Sequence, residues 1–187
     1  MFGFYRVATC SPVVKVADTA FNTARILELA EKAAARSASV TLFPELAVTA
    51  YSCGDLFHNE TLLDAAEKAV AELAEKTAAL NTILVIGAPV RYHNRLFNAA
   101  VVIQHGKICG IVPKTNLPNY REFYEKRYFS SGFNLRNMSV DFAEQQEVPF
   151  GTDLLFKAGH ELIFGVEICE DMWSTIPPSS YLALNGA

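Results

Sequence analysis

The strongest constraint on the fold is an alternation of strand-like and helix-like segments in the first half of the chain. Short apolar runs at 2–9, 39–43 and 83–86 are typical of β-strands, and the last suits a buried central strand. Between them lie two alanine-rich segments whose apolar residues recur every three or four positions, which is the helical period. This order predicts an α/β protein in which helices cover one face of a mixed sheet.

The two predicted helices have definable beginnings and buried faces. The first begins at Asp18 or Thr19, whose side-chain oxygen can accept hydrogen bonds from the first free N–H groups of a helix. Its predicted buried face consists of Ala20, Ala24, Leu27, Ala30 and Ala34. The second covers 61–80, with a predicted buried face of Leu62, Ala66, Ala69, Leu73 and Leu80.

The second half of the chain is richer in strands than in helices. Segments 96–104 and 107–112 flank His105 and Gly106, a combination that predicts a β-hairpin. The remaining expectations are loop with a short helix at 114–129, irregular structure at 130–149, strands at 154–156 and 162–168, and the beginning of a helix at 181–187.

Composition limits the class of protein. A length of 187 residues favours one domain, and 51% hydrophobic residues supply a core and argue against intrinsic disorder. Sixteen basic and twenty acidic residues give a net charge of −4, so we expect no general attraction to nucleic acid or to anionic membranes. We also expect neither a signal peptide nor a membrane helix, because the required apolar runs are absent.

Cysteine spacing bears on metal binding and on the compartment. The four cysteines stand at positions 10, 53, 109 and 169, and no two form a CxxC pair, so we expect no zinc or other metal site. At this size and cysteine content a disulfide framework is also not expected. Reduced thiols in turn favour a cytoplasmic location.

Three polar residues stand at the ends of predicted strands, where α/β enzymes usually place their chemistry. They are Glu45, Lys114 and Cys169, and each alone is more often structural than catalytic. A thiol has a pKa near about 8.5, so it needs a base or a nearby cation to act as a nucleophile. A carboxylate can take its proton, and a lysine can hold a developing oxyanion. The shared position suggests that all three face one rim of the sheet.

Other polar residues bear on this trio, and one of them offers an alternative base. Strand geometry places Glu167 on the same face as Cys169 and therefore beside it. Histidine is the more familiar partner of a cysteine, and His58 stays open as such a base. The other three histidines, His93, His105 and His160, lie in predicted turns or at the opposite strand end.

Three segments resemble one known family. They are FPELAVTAYSCGDLF at 43–57, PKTNLPNYREFYEKRYF at 113–129 and VEICEDMW at 166–173. In this order they are similar to the nitrilase (carbon–nitrogen hydrolase) superfamily, and within it to the N-terminal glutaminase domain of the glutamine-dependent NAD⁺ synthetases. The resemblance runs over the whole chain. It implies the nitrilase-like αββα sandwich, here expected to be incomplete at its C-terminal end.

The resemblance assigns roles to individual residues. It implies that Cys169 is the nucleophile, Glu45 the general base and acid, and Lys114 the oxyanion partner, assisted by the backbone N–H of Glu170. The second glutamate of the family corresponds to Glu125. The positions that line the glutamine pocket correspond to Tyr51, Tyr120 and Phe123, and Ala50 stands where this branch often has glycine.

The implied activity is hydrolysis of L-glutamine to glutamate and ammonia. The ammonia would supply a synthetase domain that amidates nicotinic acid adenine dinucleotide to NAD⁺, with ATP and Mg²⁺. Residues 1–187 contain no SGGxDS-type phosphate loop, so they are expected to form a truncated glutaminase domain that uses no cofactor. A homo-oligomer is expected by analogy. Two alternatives stay open, a stand-alone amidase for another small amide and a non-catalytic fragment.

Overall fold

The sheet is mixed, with parallel pairs at its first edge and mostly antiparallel pairs beyond them. The computed structural model describes residues 4–187. Its strands are β1 Val7–Thr9, β2 Val40–Leu42, β3 Ile83–Tyr92, β4 Arg95–Gln104, β5 Lys107–Pro113, β6 Met138–Phe142, β7 Gln145–Phe150, β8 Phe156–Ala158 and β9 Leu162–Phe164. Seven of them form one sheet in the order β1-β2-β3-β4-β5-β7-β6, and β8 pairs with β9 in a separate ribbon. Parallel pairs join β1, β2 and β3, while β3, β4 and β5 are antiparallel, so the predicted mixed α/β class is confirmed.

In the described part of the chain, three α-helices accompany the sheet. They are α1 Thr19–Ala35, α2 Glu60–Lys76 and α3 Pro178–Leu184, and 3₁₀ turns cover Tyr51–His58, Glu125–Arg127 and Cys169–Trp173. Asp18 caps α1 as predicted, accepting a hydrogen bond from the Phe21 N–H at 3.0 Å. Among the helices of residues 4–187, none combines the length and the apolar character that crossing a membrane requires.

The buried face of α1 differs from the predicted one. Its buried residues are Asn22, Thr23, Ile26, Ala30 and Ala33, while Ala20 and Ala24 are exposed. The reason is a buried amide: Asn22 Nδ2 donates to the carbonyl oxygens of Lys15 and Val48, at 2.9 and 3.0 Å. This polar anchor turns the helix, a contact that apolar periodicity does not reveal.

The first eight residues of β3, 83–90, are all non-polar and buried because both faces of the sheet are covered there. Leu84 and Ile86 pack on the side of α1 and α2, in the larger core cluster. Ile83 and Val85 point to the opposite side, into a second cluster that includes Phe156 of β8 and Ile168. Helices therefore cover one face, as predicted, and the β8–β9 ribbon and the segment after it cover the other.

Three strand predictions need correction. The prediction of irregular structure at 130–149 holds for 130–137 but is wrong beyond them, because 138–150 form the β6–β7 hairpin. Its turn residues Ala143 and Glu144 have φ of 51° and 63°, without the Asn-Gly or Asp-Gly pair that usually reveals such a turn. The strand expected at 162–168 ends at Phe164. The first strand begins at Val7, and residues 2–3 of its predicted span lie outside the described residues.

Candidate active site

The segment that carries Glu45 lies directly on strand β3. The Phe43 N–H donates to the carbonyl of Val85 at 2.8 Å, as the chain leaves β2. A Cβ at Gly87 would come within 2.2 Å of the Leu46 nitrogen and 2.7 Å of the Glu45 carbonyl carbon. Residue 87 must therefore lack a side chain for the Glu45 segment to reach this depth.

Lys114 is the first residue after β5 and is fully buried. Its N–H donates to the carbonyl of Asn98 at 2.8 Å, which ties it to β4. Its Nζ lies 2.6 Å from Glu45 Oε1 and 2.8 Å from Glu125 Oε1. Burial lowers the pKa of this lysine, but the charge of Glu45 and the hydrogen bonds with both carboxylates outweigh it and raise the pKa overall. The side chain is therefore held as an ammonium.

Glu125 completes a buried row of charges. It begins the 3₁₀ turn Glu125–Arg127, and one of its oxygens, Oε1, accepts from Lys114 and from the Tyr51 hydroxyl, the latter at 2.8 Å. Burial raises the pKa of Glu125, and Lys114 opposes this. Burial and the Glu125 hydrogen bond raise the pKa of Tyr51, so its phenol stays protonated and donates.

Asn98 is a second donor to Glu45. It lies within β4, only 1% exposed, and its Nδ2 donates to Glu45 Oε1 at 2.5 Å. Lys114 and Asn98 thus share one carboxylate oxygen of Glu45. Two buried donors on one oxygen fix the orientation of the carboxylate.

Cys169 opens the 3₁₀ turn Cys169–Trp173 with a left-handed backbone, φ 48°. It borders a cavity of about 280 Å³, the thiol cavity, together with Glu45, Gly87, Asn98, Glu167 and Ile168. Partial burial raises the pKa of the thiol, the negative charge of Glu45 raises it further, and Lys114 opposes both. The resting thiol is therefore protonated at neutral pH, beside a carboxylate able to take its proton.

Three further candidates lie next to these groups. The rings of Tyr51 and Phe123 meet edge to face at 6.4 Å, and Phe123 meets Tyr120 in the same way at 6.1 Å. The Tyr120 hydroxyl donates to Glu170 Oε2 at 3.0 Å. A cavity of about 290 Å³ lies beside Tyr51, Phe123 and Glu125. The structure thus places the predicted pocket aromatics in one row beside the buried charges.

The geometry separates the alternatives. Glu167 borders the thiol cavity, but it is not on a strand with Cys169, and its Oε2 accepts the Ser179 N–H at 3.0 Å. The described residues that line the thiol cavity include no histidine, which favours Glu45 over His58 as the base. Within residues 4–187, no group of three or more His, Cys, Asp or Glu is placed to hold a metal ion.

Three residues of the site escaped the sequence analysis: Gly87, Asn98 and Asp171. Asn98 and Gly87 each interrupt an apolar strand, and a lone polar or side-chain-free residue there is the signal that could have revealed them. Asp171 follows Cys169 by two positions. Its burial in the structure, 2% exposed, is unusual for a carboxylate.

Comparisons with known proteins agree with this geometry. Residues 6–187 match the carbon–nitrogen hydrolase family. A glutamine-dependent NAD(+) synthetase of Mycobacterium tuberculosis is 43% identical over 99% of this chain, and the human one is 31% identical over 96%. The chain spans 27% and 26% of the length of these relatives.

Solved structures point the same way. The glutamine-dependent NAD(+) synthetase from Cytophaga hutchinsonii superposes with a TM-score of 0.81 at 25% identity, covering 89% of this chain and 28% of its own. An amidase from Nesterenkonia of the nitrilase superfamily shares the fold, with a TM-score of 0.74 at 18% identity over 98% of this chain and 62% of its own. The chain therefore belongs to the carbon–nitrogen hydrolase family.

Proposed function

We propose that this chain hydrolyses the side-chain amide of L-glutamine, through a thioester on Cys169. One observation carries the proposal: the buried Lys114 ammonium is bonded to two carboxylates, and one of these, Glu45, borders the same cavity as the thiol. Base, cation and nucleophile are the three groups that amide hydrolysis by a cysteine needs. Both relatives are glutamine-dependent NAD(+) synthetases, which supports glutamine as the substrate and a ligase as the larger enzyme.

The first half of the reaction forms the thioester. As Sγ of Cys169 attacks the carboxamide carbon, its proton passes to Glu45, whose carboxylate is the base beside the thiol. The carbonyl oxygen becomes an oxyanion, held by the Lys114 ammonium and the Glu170 N–H. The C–N bond then breaks, and Glu45 returns the proton to the departing nitrogen, which leaves as ammonia.

The second half regenerates the enzyme. A water molecule gives a proton to Glu45 and attacks the thioester carbon, and the C–S bond breaks. The sulfur of Cys169 takes the proton back from Glu45, and glutamate leaves. In the resting site Glu45 and Glu125 together raise the pKa of Lys114, and while Glu45 holds the proton, the ammonium faces Glu125 and the oxyanion.

The aromatic row gives the substrate its place. Tyr51, Phe123 and Tyr120 would line the path of the glutamine chain, with the Tyr51 hydroxyl already committed to Glu125. This assignment comes from the family resemblance. It agrees with the position of the row beside the buried charges.

The wider context is also part of the proposal. Residues 1–187 would be the glutaminase domain of a longer protein, and ammonia would pass to a synthetase domain that uses ATP and Mg²⁺ to make NAD⁺. One relative, from Acinetobacter baumannii, is described in complex with ADP. A glutaminase domain without a cofactor, a homo-oligomer and a cytoplasmic location stay predictions; the four cysteines are all free, as a reducing compartment would require.

The test is glutamine turnover by the full-length protein and by its Cys169→Ala variant. We expect ammonia release by the parent and none above background by the variant, while Cys109→Ala, which removes another exposed thiol, stays fully active. Turnover of other small amides without glutamine would support a stand-alone amidase instead. A parent protein that neither turns over an amide nor forms an adduct on Cys169 with a glutamine-like electrophile would be a non-catalytic remnant.

A further inference from the structure

The buried carboxylate of Asp171 holds four N–H groups. Oδ1 accepts the Asn116 backbone N–H at 2.6 Å, the Asn116 side-chain amide at 3.0 Å and the Thr115 N–H at 3.1 Å. Oδ2 accepts the Ile168 N–H at 3.1 Å. All of these partners are uncharged, so this carboxylate is held by hydrogen bonds with the chain and not by a cation.

The four donors come from the two segments that carry the reacting groups. Thr115 and Asn116 follow Lys114 directly, and Ile168 directly precedes Cys169. Asp171 therefore joins residues that are 52 positions apart, from Asn116 to Ile168, with one side chain. The two carboxylate oxygens connect the segment of the cation to the segment of the nucleophile.

Of the two segments, the one with Cys169 depends more on this connection. Lys114 is fixed independently, through its N–H bond to Asn98 and its two ion pairs. Strand β9 ends at Phe164, so no β-ladder holds the chain where it reaches Cys169. Within this turn, the Asp171 N–H also donates to the Ile168 carbonyl at 3.0 Å, which closes the turn on itself.

We propose that Asp171 is a positioning residue: it holds the turn of Cys169 at a fixed distance from Lys114 and Glu45. For catalysis this inference rests on the function proposed above. The residue touches no reacting atom and acts only through the backbone on both sides of the site.

The choice of aspartate has a chemical reason. A carboxylate offers only acceptors, and here each oxygen faces an N–H donor. Asparagine has the same shape but would turn an NH₂ group towards one of these donors, which leaves both unpaired. Burial raises the pKa of Asp171, and the N–H groups of Asn116, Ile168 and Thr115 oppose this, as expected for a carboxylate that they stabilise.

The experiment measures alkylation of Cys169 by iodoacetamide against pH, by peptide mass, in the full-length protein. Four forms are compared: the parent, Asp171→Asn, Glu45→Gln and the double variant. Because Glu45 raises the pKa of the thiol, Glu45→Gln alone lowers the pH midpoint of alkylation. If Asp171 holds Cys169 against Glu45, the same substitution shifts the midpoint by less than half as much in the Asp171→Asn background.

Two controls separate positioning from a general loss of structure. Cys109, an exposed thiol on β5, is the internal reference and keeps its alkylation profile in all four forms. Asp141→Asn removes another carboxylate that accepts a backbone N–H, from Glu147 at 2.9 Å, and leaves Cys169 unchanged. For glutamine turnover we expect Asp171→Asn to lower kcat by about 10- to 100-fold while KM changes by less than about threefold.

The outcomes are distinguishable from those of the proposed function, because alkylation requires no substrate. If Glu45→Gln shifts the pH midpoint of Cys169 alkylation as much in the Asp171→Asn background as in the parent, the positioning role is overturned. It is also overturned if the Cys109 midpoint changes as much as the Cys169 midpoint. Non-additive shifts in a protein that does not hydrolyse glutamine would support the positioning role of Asp171 and overturn only the proposed function.

Discussion

Two lysine–glutamate pairs of equal length lie in opposite environments. Lys76 on α2 is 2.6 Å from Glu72, and both side chains are about half exposed, at 55% and 44%. Lys114 is also 2.6 Å from Glu45, but its side chain is 0% exposed and a second carboxylate, Glu125, lies 2.8 Å away. The comparison shows that distance alone does not distinguish a surface pair from a functional one.

The two pairs differ in how strongly burial opposes the charge of the lysine. The pKa of Lys76 is raised by its hydrogen bond to Glu72 with little opposition from burial. Burial acts most strongly on the Lys114 pKa and lowers it, but Glu45 and Glu125 together outweigh burial. Removal of one partner from a surface pair leaves a charge in water, whereas removal of Lys114 leaves two largely buried carboxylates without a cation.

Substitution of Lys114 gives the largest expected effect. Lys114→Met keeps the length of the side chain but leaves Glu45 and Glu125 without their shared cation. We expect glutamine hydrolysis to fall by about 10²–10³-fold or more and the free energy of unfolding to fall by about 3–5 kcal/mol. Ammonia release and guanidinium unfolding measure both. Lys76→Met is the matched control and should leave both unchanged; equal unfolding midpoints for the two variants would contradict the comparison.

The next prediction tests whether the close approach to Gly87 fixes the distance between Glu45 and Lys114. In Gly87→Ala the new Cβ meets backbone atoms of Pro44 and Leu46 at 2.5 and 2.2 Å, so the Glu45 segment must shift away from β3. We expect activity to fall by about 100-fold and stability by about 1–3 kcal/mol. Gly110→Ala on β5 is the control, because its Cβ meets side-chain ends of Leu154 and Phe156 at 2.8 and 3.0 Å. It should cost stability but keep activity, and a Gly87→Ala protein of full activity would refute the steric argument.

The sequence predicts the position of Glu45 and Lys114, two of the proposed reacting groups, because the ends of strands can be recognised from the sequence. Glu45 and Lys114 each follow a proline that ends an apolar strand, and the structure brings them together as expected. Cys169 was predicted at the end of a longer strand, and the structure places it in a turn instead, with φ 48°. Cys169 nevertheless lies near Glu45 as predicted, because both residues border the thiol cavity.

The supporting residues were beyond sequence reasoning for a physical reason. Asn98, Gly87 and Asp171 act through contacts with residues 41 to 56 positions away, across strands and turns. The hydrophobic periodicity of a segment predicts which face of a helix or strand is buried, but it does not predict which distant residue packs against that face. The same limit explains the rotated face of α1, where the hydrogen bonds from the Asn22 side chain to the Lys15 and Val48 carbonyls outweigh the alanine pattern.

A milder change in the buried row shows up in pH dependence. Glu125→Gln keeps an acceptor for Lys114 and Tyr51 but removes one negative charge. Glu125 is among the groups that raise the pKa of Lys114 against burial, so the variant should lose its ammonium at lower pH than the parent. We expect the alkaline limb of kcat/KM to move to lower pH, with a loss of about tenfold at neutral pH. Glu72→Gln on α2 should leave the profile in place, and an unmoved limb in Glu125→Gln would show that Glu45 alone sustains the charge.

The smallest effect concerns the turn that delivers Tyr51 to Glu125. Ala50 has φ 66° and ψ 156°, a backbone region that glycine adopts readily and that costs other residues conformational free energy. Ala50→Gly should therefore raise the free energy of unfolding by about 1 kcal/mol, measured by guanidinium unfolding, with activity unchanged. Ala24→Gly, at an exposed position within α1, should instead lower it by about 0.5–1 kcal/mol. Opposite signs for one chemical change would locate strain at the entrance to the buried row, whereas losses at both positions would mean that Ala50 fits its turn without strain.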